Sequence, residues 1–229
     1  MKSSIQSLLQ DRHSCRSFLD EVPPIEDLRS ILRAARQAPS SANLQPGRFI
    51  VLTGDPLKQL CDSLALVADG PVEPLEYSYF PQAMPAELKR RQQAAGYALY
   101  SALGIERRDI AGRRAQFSRN YHFFHAPVGI VVTLRKELGS GCFMDLGMTI
   151  MALMLKAQSM GYGSCAIGAI ANHGRTVHRH LGLPEEELVV CGIALGKPNI
   201  SDPVNRFRTQ RAEIEDYCEF HGFGMDGDA

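Results

Sequence analysis

Two arginines bracket a serine in the short stretch RHSCRSF, which occupies residues 12 to 18. Side chains of an extended segment alternate with a period of two, so Arg12, Ser14 and Arg16 are expected to face the same way. Two fixed positive charges and a hydroxyl on one side suit an anion that carries hydrogen-bonding groups. The same stretch, taken alone, is also typical of a solvated helix end, and its spacing does not decide between the two interpretations.

Two further stretches concentrate polar or basic side chains that could bind a ligand. APSSANLQP, residues 38 to 46, carries short hydrogen-bonding side chains beside a predicted helix end, and NRFRTQR, residues 205 to 211, again alternates two arginines. Alone, the first is an ordinary turn and the second a basic loop. Together with residues 12 to 18 they predict a phosphate clamp, because the planar fork of arginine binds phosphate oxygens in pairs. The sequence has no glycine-rich phosphate motif, GxGxxG or GxxxxGK[ST], that would hold the phosphate on a helix start.

Length and charge limit the classes of partner. The chain has 229 residues, 45% of them hydrophobic and 22% charged, as in soluble globular proteins. It has 25 basic and 25 acidic residues, so its net charge is zero. A nucleic acid or an anionic membrane surface would require a basic excess, and neither is an expected partner. Any anion site must therefore be local.

Cysteine and histidine patterns argue against a disulfide framework and a metal site. The six cysteines include no CxxC pair, and the seven histidines form neither HxxxH nor HExxH. The first 14 residues lack the apolar stretch of a signal peptide. We therefore expect reduced thiols, a cytoplasmic protein and no bound metal. One cysteine acting as a catalytic nucleophile is the less favoured alternative.

Hydrophobic periodicity predicts many helices and few strands, which places the chain in the α+β class. Strands are predicted over 48–53, 126–135 and 187–196. Helices are predicted over 3–12, 23–39, 55–70, 86–104, 106–120, 142–161, 174–184 and 213–223. The helix at 142–161 is apolar enough to resemble a membrane span, but Asp145, Lys156 and Gln158 interrupt it. It is therefore interpreted as a core or subunit-interface helix.

The expected organisation is a single domain over residues 1–229. Residues 84–121 form a polar helical excursion that is better explained as an insertion covering the active site than as a second domain. Residues 203–223 form a C-terminal extension.

Four motifs in order resemble the FMN-dependent nitroreductase family over about residues 8–210. They are RxSxR at residues 12–16, PSSANLQP, the long apolar helix leading into GYGSCAIG, and Arg206 with Arg208. A weaker likeness, over GIERRDIAGRRAQFSRNYHFFHAP, is to members that reduce nitrobenzoates and dinitroanilines. The resemblance implies a nitroreductase-like fold: a central mixed or antiparallel sheet flanked by helices, a long apolar central helix and an intertwined homodimer.

The resemblance also assigns roles to residues. Arg12, Arg206 and Arg208 would bind the FMN phosphate, and Ser14 the phosphate or ribityl chain. Arg16 would lie at the pyrimidine end of the flavin, where a cation stabilises the reduced form. The loop around PSSANLQP would come from the other subunit. The implied cofactor contacts are Arg12, His13, Ser14, Arg16, Pro39, Ser40, Ser41, Asn43, Gln45, Ala166, Ile167, Gly168, Arg206 and Arg208.

The implied chemistry belongs to the cofactor and requires no catalytic side chain. NADH or NADPH would deliver a hydride to flavin N5, and a small aromatic substrate, a nitroaromatic or a quinone, would then accept electrons in pairs. Aromatic side chains near the insertion are expected either to wall the substrate pocket or to belong to the core. They are Tyr97, Tyr100, Tyr121, Phe123 and Phe124.

Two alternatives remain open at this stage. One is a flavoenzyme of the same fold with other chemistry, such as reductive dehalogenation or flavin fragmentation. The other is a dimeric flavin-binding protein with little turnover. The sequence departs from the family pattern at Gly47, which stands where a tryptophan usually follows Gln-Pro, and the effect of that difference is left open.

Overall fold

The computed structural model describes residues 4–71 and 73–222. One antiparallel sheet of four strands, in the order β1-β2-β4-β3, forms the centre of the molecule. The strands are β1 (Arg48–Thr53), β2 (Val128–Arg135), β3 (Gly163–Ile167) and β4 (Glu187–Gly196). The predicted α+β class is confirmed, and the sheet, expected to be mixed or antiparallel, is antiparallel. The three predicted strands are confirmed, and β3 is an additional one.

The two central strands are apolar on both sides because helices cover both faces of the sheet. In β2 only Arg135 is exposed, and in β4 only Glu187 is not fully buried. Such continuous runs of β-branched residues are typical of strands buried on both faces. One core cluster lies on each face, the first built largely with α3 (Gly54–Ala68) and the second with α6 (Ser140–Ser159).

Seven helices are described, and their positions agree with seven of the eight predicted. The remaining bounds are α1 (Ile5–Asp11), α2 (Ile25–Ala35), α4 (Ala86–Ala102), α5 (Ile110–Ser118) and α7 (Gly174–Leu181). Ser4 caps α1 by accepting a hydrogen bond from the Ser7 N–H. Helix α3 begins at Gly54, one residue before the predicted start, and Thr53 is its N-cap.

The predicted helix over residues 213–223 is wrong for the part that is described. Only a single 3-10 turn, Ile214–Asp216, forms there, closed by reciprocal hydrogen bonds of Glu213 and Asp216. Ile214 and Tyr217, which would form the apolar face of a helix, are exposed. A short helix without a buried face is marginal in water, and this accounts for the difference. Phe223, the end of the predicted extension, is outside the described residues.

Strand β3 is not predicted from the sequence because it is short, begins with Gly163 and is followed by Gly168. Its edge is covered by the N-terminal segment: Ser14 pairs with Ser164 in parallel, and the Cys15 N–H donates to the Ser164 carbonyl at 3.0 Å. The stretch that carries Arg12 and Arg16 is thereby fixed to the sheet.

Three successive residues between α5 and β2 adopt left-handed backbone conformations. The φ angles are 48° at Phe123, 53° at Phe124 and 57° at His125. This conformation costs about 1–2 kcal/mol per non-glycine residue. The two phenylalanine rings are 0% and 2% exposed, and burial of each ring contributes about 1.5–3 kcal/mol in the opposite direction.

Helix α6 buries one face and leaves another uncovered. Leu146, Leu153 and Ala157 are in the core, whereas Met144 is 68% and Met148 36% exposed. By length and composition alone, α6 is the one helix among the described residues that could cross a membrane, a test that a core helix also passes.

Candidate functional site

A cleft of about 560 Å³ lies between the N-terminal segment, the C-terminal loop and α4. Arg12, Ser14 and Arg16 all line it, and so does His13, whereas Cys15 is buried. Arg12, Ser14 and Arg16 therefore face one cleft as expected, although the alternation is not strict at His13. The full lining is Leu9, Gln10, Arg12, His13, Ser14, Arg16, Ala95, Gly96, Leu99, Phe207, Arg208, Thr209 and Arg211.

The cleft is strongly cationic although the chain is neutral. Four of its lining residues are arginines, and no carboxylate is among the described residues that line it. Burial, and next the like charge of Arg211, lower the pKa of Arg12. Like charges that face a common space repel one another, and an anion between them removes that repulsion. The electrostatics therefore favour a bound anion in this cleft.

Of the second predicted pair, Arg206 and Arg208, only Arg208 faces the cleft. Arg208 lines the cleft, but the Arg206 guanidinium points elsewhere and donates to the Ser201 carbonyl at 2.6 Å. Alternation fails here because the chain leaves a 3-10 turn, Pro203–Asn205, with Arg206 in helical conformation (φ −93°, ψ −28°). Arg211, which the spacing argument did not single out, lines the cleft instead.

Asn205 joins the two arginine-bearing segments and was not identified from the sequence. Its amide oxygen accepts the Arg16 N–H at 2.8 Å, and its amide nitrogen donates to the carbonyls of Ser17 and Asn199 at 2.8 and 2.9 Å. The side chain is buried, and a buried amide with three hydrogen bonds fixes its partners firmly. No local pattern marks an asparagine for this role, because two of its three partners, Ser17 and Arg16, are 188 and 189 residues away.

The end of β3 adjoins the arginine segment. Cys165 in β3 interacts with the Ser14 hydroxyl and with the charges of Arg16 and Arg12. Ala166 is exposed and Ile167 buried, and the Tyr79 ring lies against Gly168, where an added Cβ would be 3.3 Å from Cε2 of the tyrosine. The segment that carries Arg12 and Arg16 thus contacts β3 at Ser164 and Cys165, and Ala166, Ile167 and Gly168 follow directly without lining the cleft.

The Cys165 thiol is not poised as a nucleophile. Its side chain is 3% exposed, and burial raises its pKa despite the nearby positive charge of Arg16. A thiol with a raised pKa stays protonated at neutral pH, and only the thiolate is nucleophilic.

We therefore expect Cys165→Ala to keep most of the reductase activity that the family resemblance implies, with kcat/KM changed by less than about threefold, or 0.7 kcal/mol of barrier. The measurement is steady-state kinetics of the variant with its cofactor loaded to the wild-type level. A loss of more than about tenfold at equal loading would reveal a catalytic thiol.

The loop at residues 38–46 does not line this cleft. The Ser41 N–H donates to the buried Asp145 carboxylate of α6 at 3.2 Å, and the Gln45 N–H donates to the Ser40 hydroxyl at 2.9 Å. Nη1 of Arg36 donates a hydrogen bond to the Gln45 carbonyl at 2.7 Å and fixes the end of the loop. The other predicted members, Pro39 and Asn43, are exposed. Within one chain the loop thus contacts α6 through Asp145 and lies outside the cleft that the four arginines line.

The structure decides between the two expectations, pocket wall or core, for three of the five aromatic residues. Tyr121, Phe123 and Phe124 are 3%, 0% and 2% exposed and belong to the first core cluster, so they do not wall a pocket. The left-handed turn directs the two phenylalanine rings inward. Tyr97 and Tyr100 are instead on α4, beside the residues of that helix that line the cleft.

No group of three or more histidine, cysteine, aspartate or glutamate side chains that could hold a metal ion is found within residues 4–71 and 73–222.

Known structures define the class of this fold. The chain superposes with a TM-score of 0.93 on a crystal structure of an FMN- and NADPH-dependent nitroreductase, NfnB from sphigopyxis sp. strain HMH, at 33% identity, covering 96% of this chain and all of the other. NfnB from Mycobacterium smegmatis, in complex with NADPH, matches with a TM-score of 0.89 at 25% identity, covering 94% of this chain and 96% of that one. The fold is therefore nitroreductase-like, as predicted.

The chain belongs to the nitroreductase family, whose family model matches residues 9–197. It is 35% identical over 218 residues to a chloronitrobenzene nitroreductase of Comamonas testosteroni, covering 94% of this chain and 96% of the relative. It is 31% identical to a 4-nitrobenzoate reductase of Nocardioides sp. (strain LMS-CY), covering 95% and 90% of the two chains. The likeness to nitrobenzoate-reducing members that the sequence indicated is confirmed.

Proposed function

We propose that the protein is an FMN-dependent NAD(P)H oxidoreductase that reduces nitroaromatic compounds and quinones. The observation that carries the proposal is the convergence of four arginines on one cleft beside the end of β3. The relatives supply the class of cofactor and substrate, since they include FMN- and NADPH-dependent nitroreductases and reductases of chloronitrobenzene and 4-nitrobenzoate.

The residues of the cleft fit an FMN phosphate. Arg12, Arg208 and Arg211 supply three guanidinium groups for a dianion, and the Ser14 hydroxyl can donate to it or to the ribityl chain. The Nε2 atom of His13 is buried in the cleft without a hydrogen-bond partner among the described residues. Such an orphaned polar atom is costly unless a ligand satisfies it, which agrees with a site made for a polar group.

FMN, when bound, supplies the hydride-accepting and electron-donating chemistry of the reaction. The protein's own contribution is binding and electrostatics. Arg16 would place a fixed positive charge at the pyrimidine end of the flavin, where negative charge accumulates on reduction. Backbone groups of Ala166, Ile167 and Gly168 would border the ring near N5. No side chain of this chain is assigned a nucleophilic or acid-base role.

Purified protein and two electron donors test this function. The protein should be yellow, and flavin released by heat should be FMN. We expect oxidation of NADPH or NADH to be stimulated by 4-nitrobenzoate, nitrobenzene and menadione, with comparison of kcat/KM giving the donor preference. Bound FMN that is reduced by NAD(P)H but passes no electrons to any of these acceptors would instead indicate a low-turnover flavin-binding protein. Protein that cannot take up FMN would contradict the proposal altogether.

A homodimer with shared sites is part of the proposal. The exposed methionines of α6, Met144 and Met148, form an apolar stripe that a second copy can bury. The loop at residues 38–46 is mounted on the same helix through Asp145, so pairing of two α6 helices would carry the loop towards the partner's cleft.

Light scattering of the holoprotein is expected to give about twice the chain mass of 25.3 kDa. Met148→Glu, which places a charge in the stripe, should shift the protein towards monomer and release FMN. The matched control is Leu66→Glu, because Leu66 is 87% exposed on α3, away from the stripe. A monomer of wild-type protein that retains FMN would contradict the shared site.

All six cysteines are free and five of them are buried. Reduced thiols suit a reducing compartment, and we propose that the protein is cytoplasmic.

A further inference from the structure

The main chain at Arg16 is held from both sides. Its N–H donates to the buried Asn205 amide oxygen at 2.8 Å, and its carbonyl accepts from Nη2 of Arg119 at 3.2 Å. These two contacts come from the C-terminal loop and from the turn after α5. With the backbone fixed in this way, only the orientation of the Arg16 side chain remains to be set.

Two contacts set that orientation. Nη1 of Arg16 donates to the Ser14 carbonyl at 3.3 Å, and the guanidinium carbon lies over the Phe124 ring, 5.8 Å from its centroid. A guanidinium over an aromatic face is attracted by the ring quadrupole, and more strongly where water is excluded. The remaining N–H groups of the guanidinium are then available to the cleft that Arg16 lines.

The left-handed turn sends two neighbouring phenylalanine rings to different partners. Phe123 packs on the sheet, so close to Gly192 that an added Cβ there would be 2.7 Å from its Cε1 atom. Phe124 lies beneath Arg16 instead. Both rings are fully buried and both residues have a positive φ, yet only Phe124 has the contact with the guanidinium. A strained backbone that directs a ring beneath a cation of the cleft invites a functional explanation.

We propose that Phe124 is a positioning residue for Arg16: its ring holds the guanidinium in the orientation that faces the flavin and thereby raises the reduction potential of the bound FMN. The inference rests on the proposed FMN function. Without the ring face, the long arginine side chain gains rotamers that point away from the cleft, so its average stabilisation of the reduced cofactor falls.

The experiment measures two quantities in holoprotein variants: the melting temperature and the two-electron midpoint potential of FMN. The variants are Arg16→Ala, Phe124→Leu and, as the matched control, Phe123→Leu. Both phenylalanine variants should melt at lower temperature, because each loses buried ring contacts. Phe124→Leu should also weaken the preference for reduced over oxidised FMN by at least about threefold, which lowers the midpoint potential by about 14 mV. Arg16→Ala should lower the potential as well. Phe123→Leu should keep the wild-type potential.

The outcomes separate the inference from the function on which it rests. A wild-type potential in Phe124→Leu, or the same shift in Phe123→Leu, overturns the positioning role while Arg16→Ala still reports the proposed charge effect. An unchanged potential in Arg16→Ala overturns the role of Arg16 itself. Should Phe124→Leu not retain FMN, Phe124→Met, which fills the same space with a flexible side chain and no ring face, takes its place with the same expected shift.

Discussion

Replacing Arg12 by alanine is expected to lower the affinity for FMN about ten- to a hundredfold. A hydrogen bond to a charged group contributes about 1.5–3 kcal/mol, and every 1.4 kcal/mol is a factor of ten. Arg12 lines the cleft, is partly buried and lies near Arg211 without an intervening carboxylate. Because it would contact the phosphate and not the ring, the midpoint potential of the FMN that remains bound should stay at the wild-type value.

Titration of apoprotein with FMN, followed by flavin fluorescence, gives the dissociation constants. Arg206→Ala is the matched control, since Arg206 donates to its own loop outside the cleft; we expect less than about a twofold change there. Arg211→Ala should resemble Arg12→Ala. Equal losses in Arg206→Ala and Arg12→Ala would mean that the alternation seen in the sequence, and not the observed geometry, describes the phosphate site.

Replacing Gly47 is expected to cost about 2–6 kcal/mol of the free energy of unfolding. The φ angle of Gly47 is +94°, a conformation that costs other residues about 1–3 kcal/mol. A Cβ there would also overlap the Cδ1 atom of Leu146, which is 1% exposed, and overpacking a core adds about 1–3 kcal/mol. The tryptophan that the family pattern carries after Gln-Pro therefore cannot be accommodated without rearrangement.

Urea unfolding of Gly47→Ala measures this cost. Gly54→Ala is a suitable control, because Gly54 has a φ of +58° but no heavy atom within 4 Å of the added Cβ. It should lose only the backbone part, about 1 kcal/mol. A Gly47→Ala variant as stable as Gly54→Ala would show that Leu146 yields without cost.

The sequence predicts which side chains face the cleft only where the backbone is regularly extended. Arg12, Ser14 and Arg16 share a side because their segment is extended and pairs with β3 at Ser164, and period-two alternation then holds. Arg206 and Arg208 do not share a side, because a 3-10 turn precedes them and its conformation extends into Arg206. A pattern of alternating arginines contains no information about such a turn.

Contacts between distant parts of the chain could not be predicted at all. Asn205 is one polar residue among many until its amide meets the Arg16 main chain. The stretch from Tyr121 to Phe124 has the composition of a pocket wall and of a core alike. The rings of Phe123 and Phe124 lie in the core because three successive residues adopt left-handed backbone conformations. Phenylalanine has no preference for this conformation, so the sequence does not indicate it.

The separation of the arginine-lined cleft from the loop at residues 38–46 has a genetic consequence. If each site combines the arginines of one subunit with the loop of the other, two different defects can complement. In a mixed dimer of an Arg12→Ala subunit and an Asp145→Ala subunit, one site receives both the damaged arginine cluster and the damaged loop, whereas the other receives neither. Coexpressing the two defective alleles should thus restore one intact site in each mixed dimer, which neither allele achieves alone.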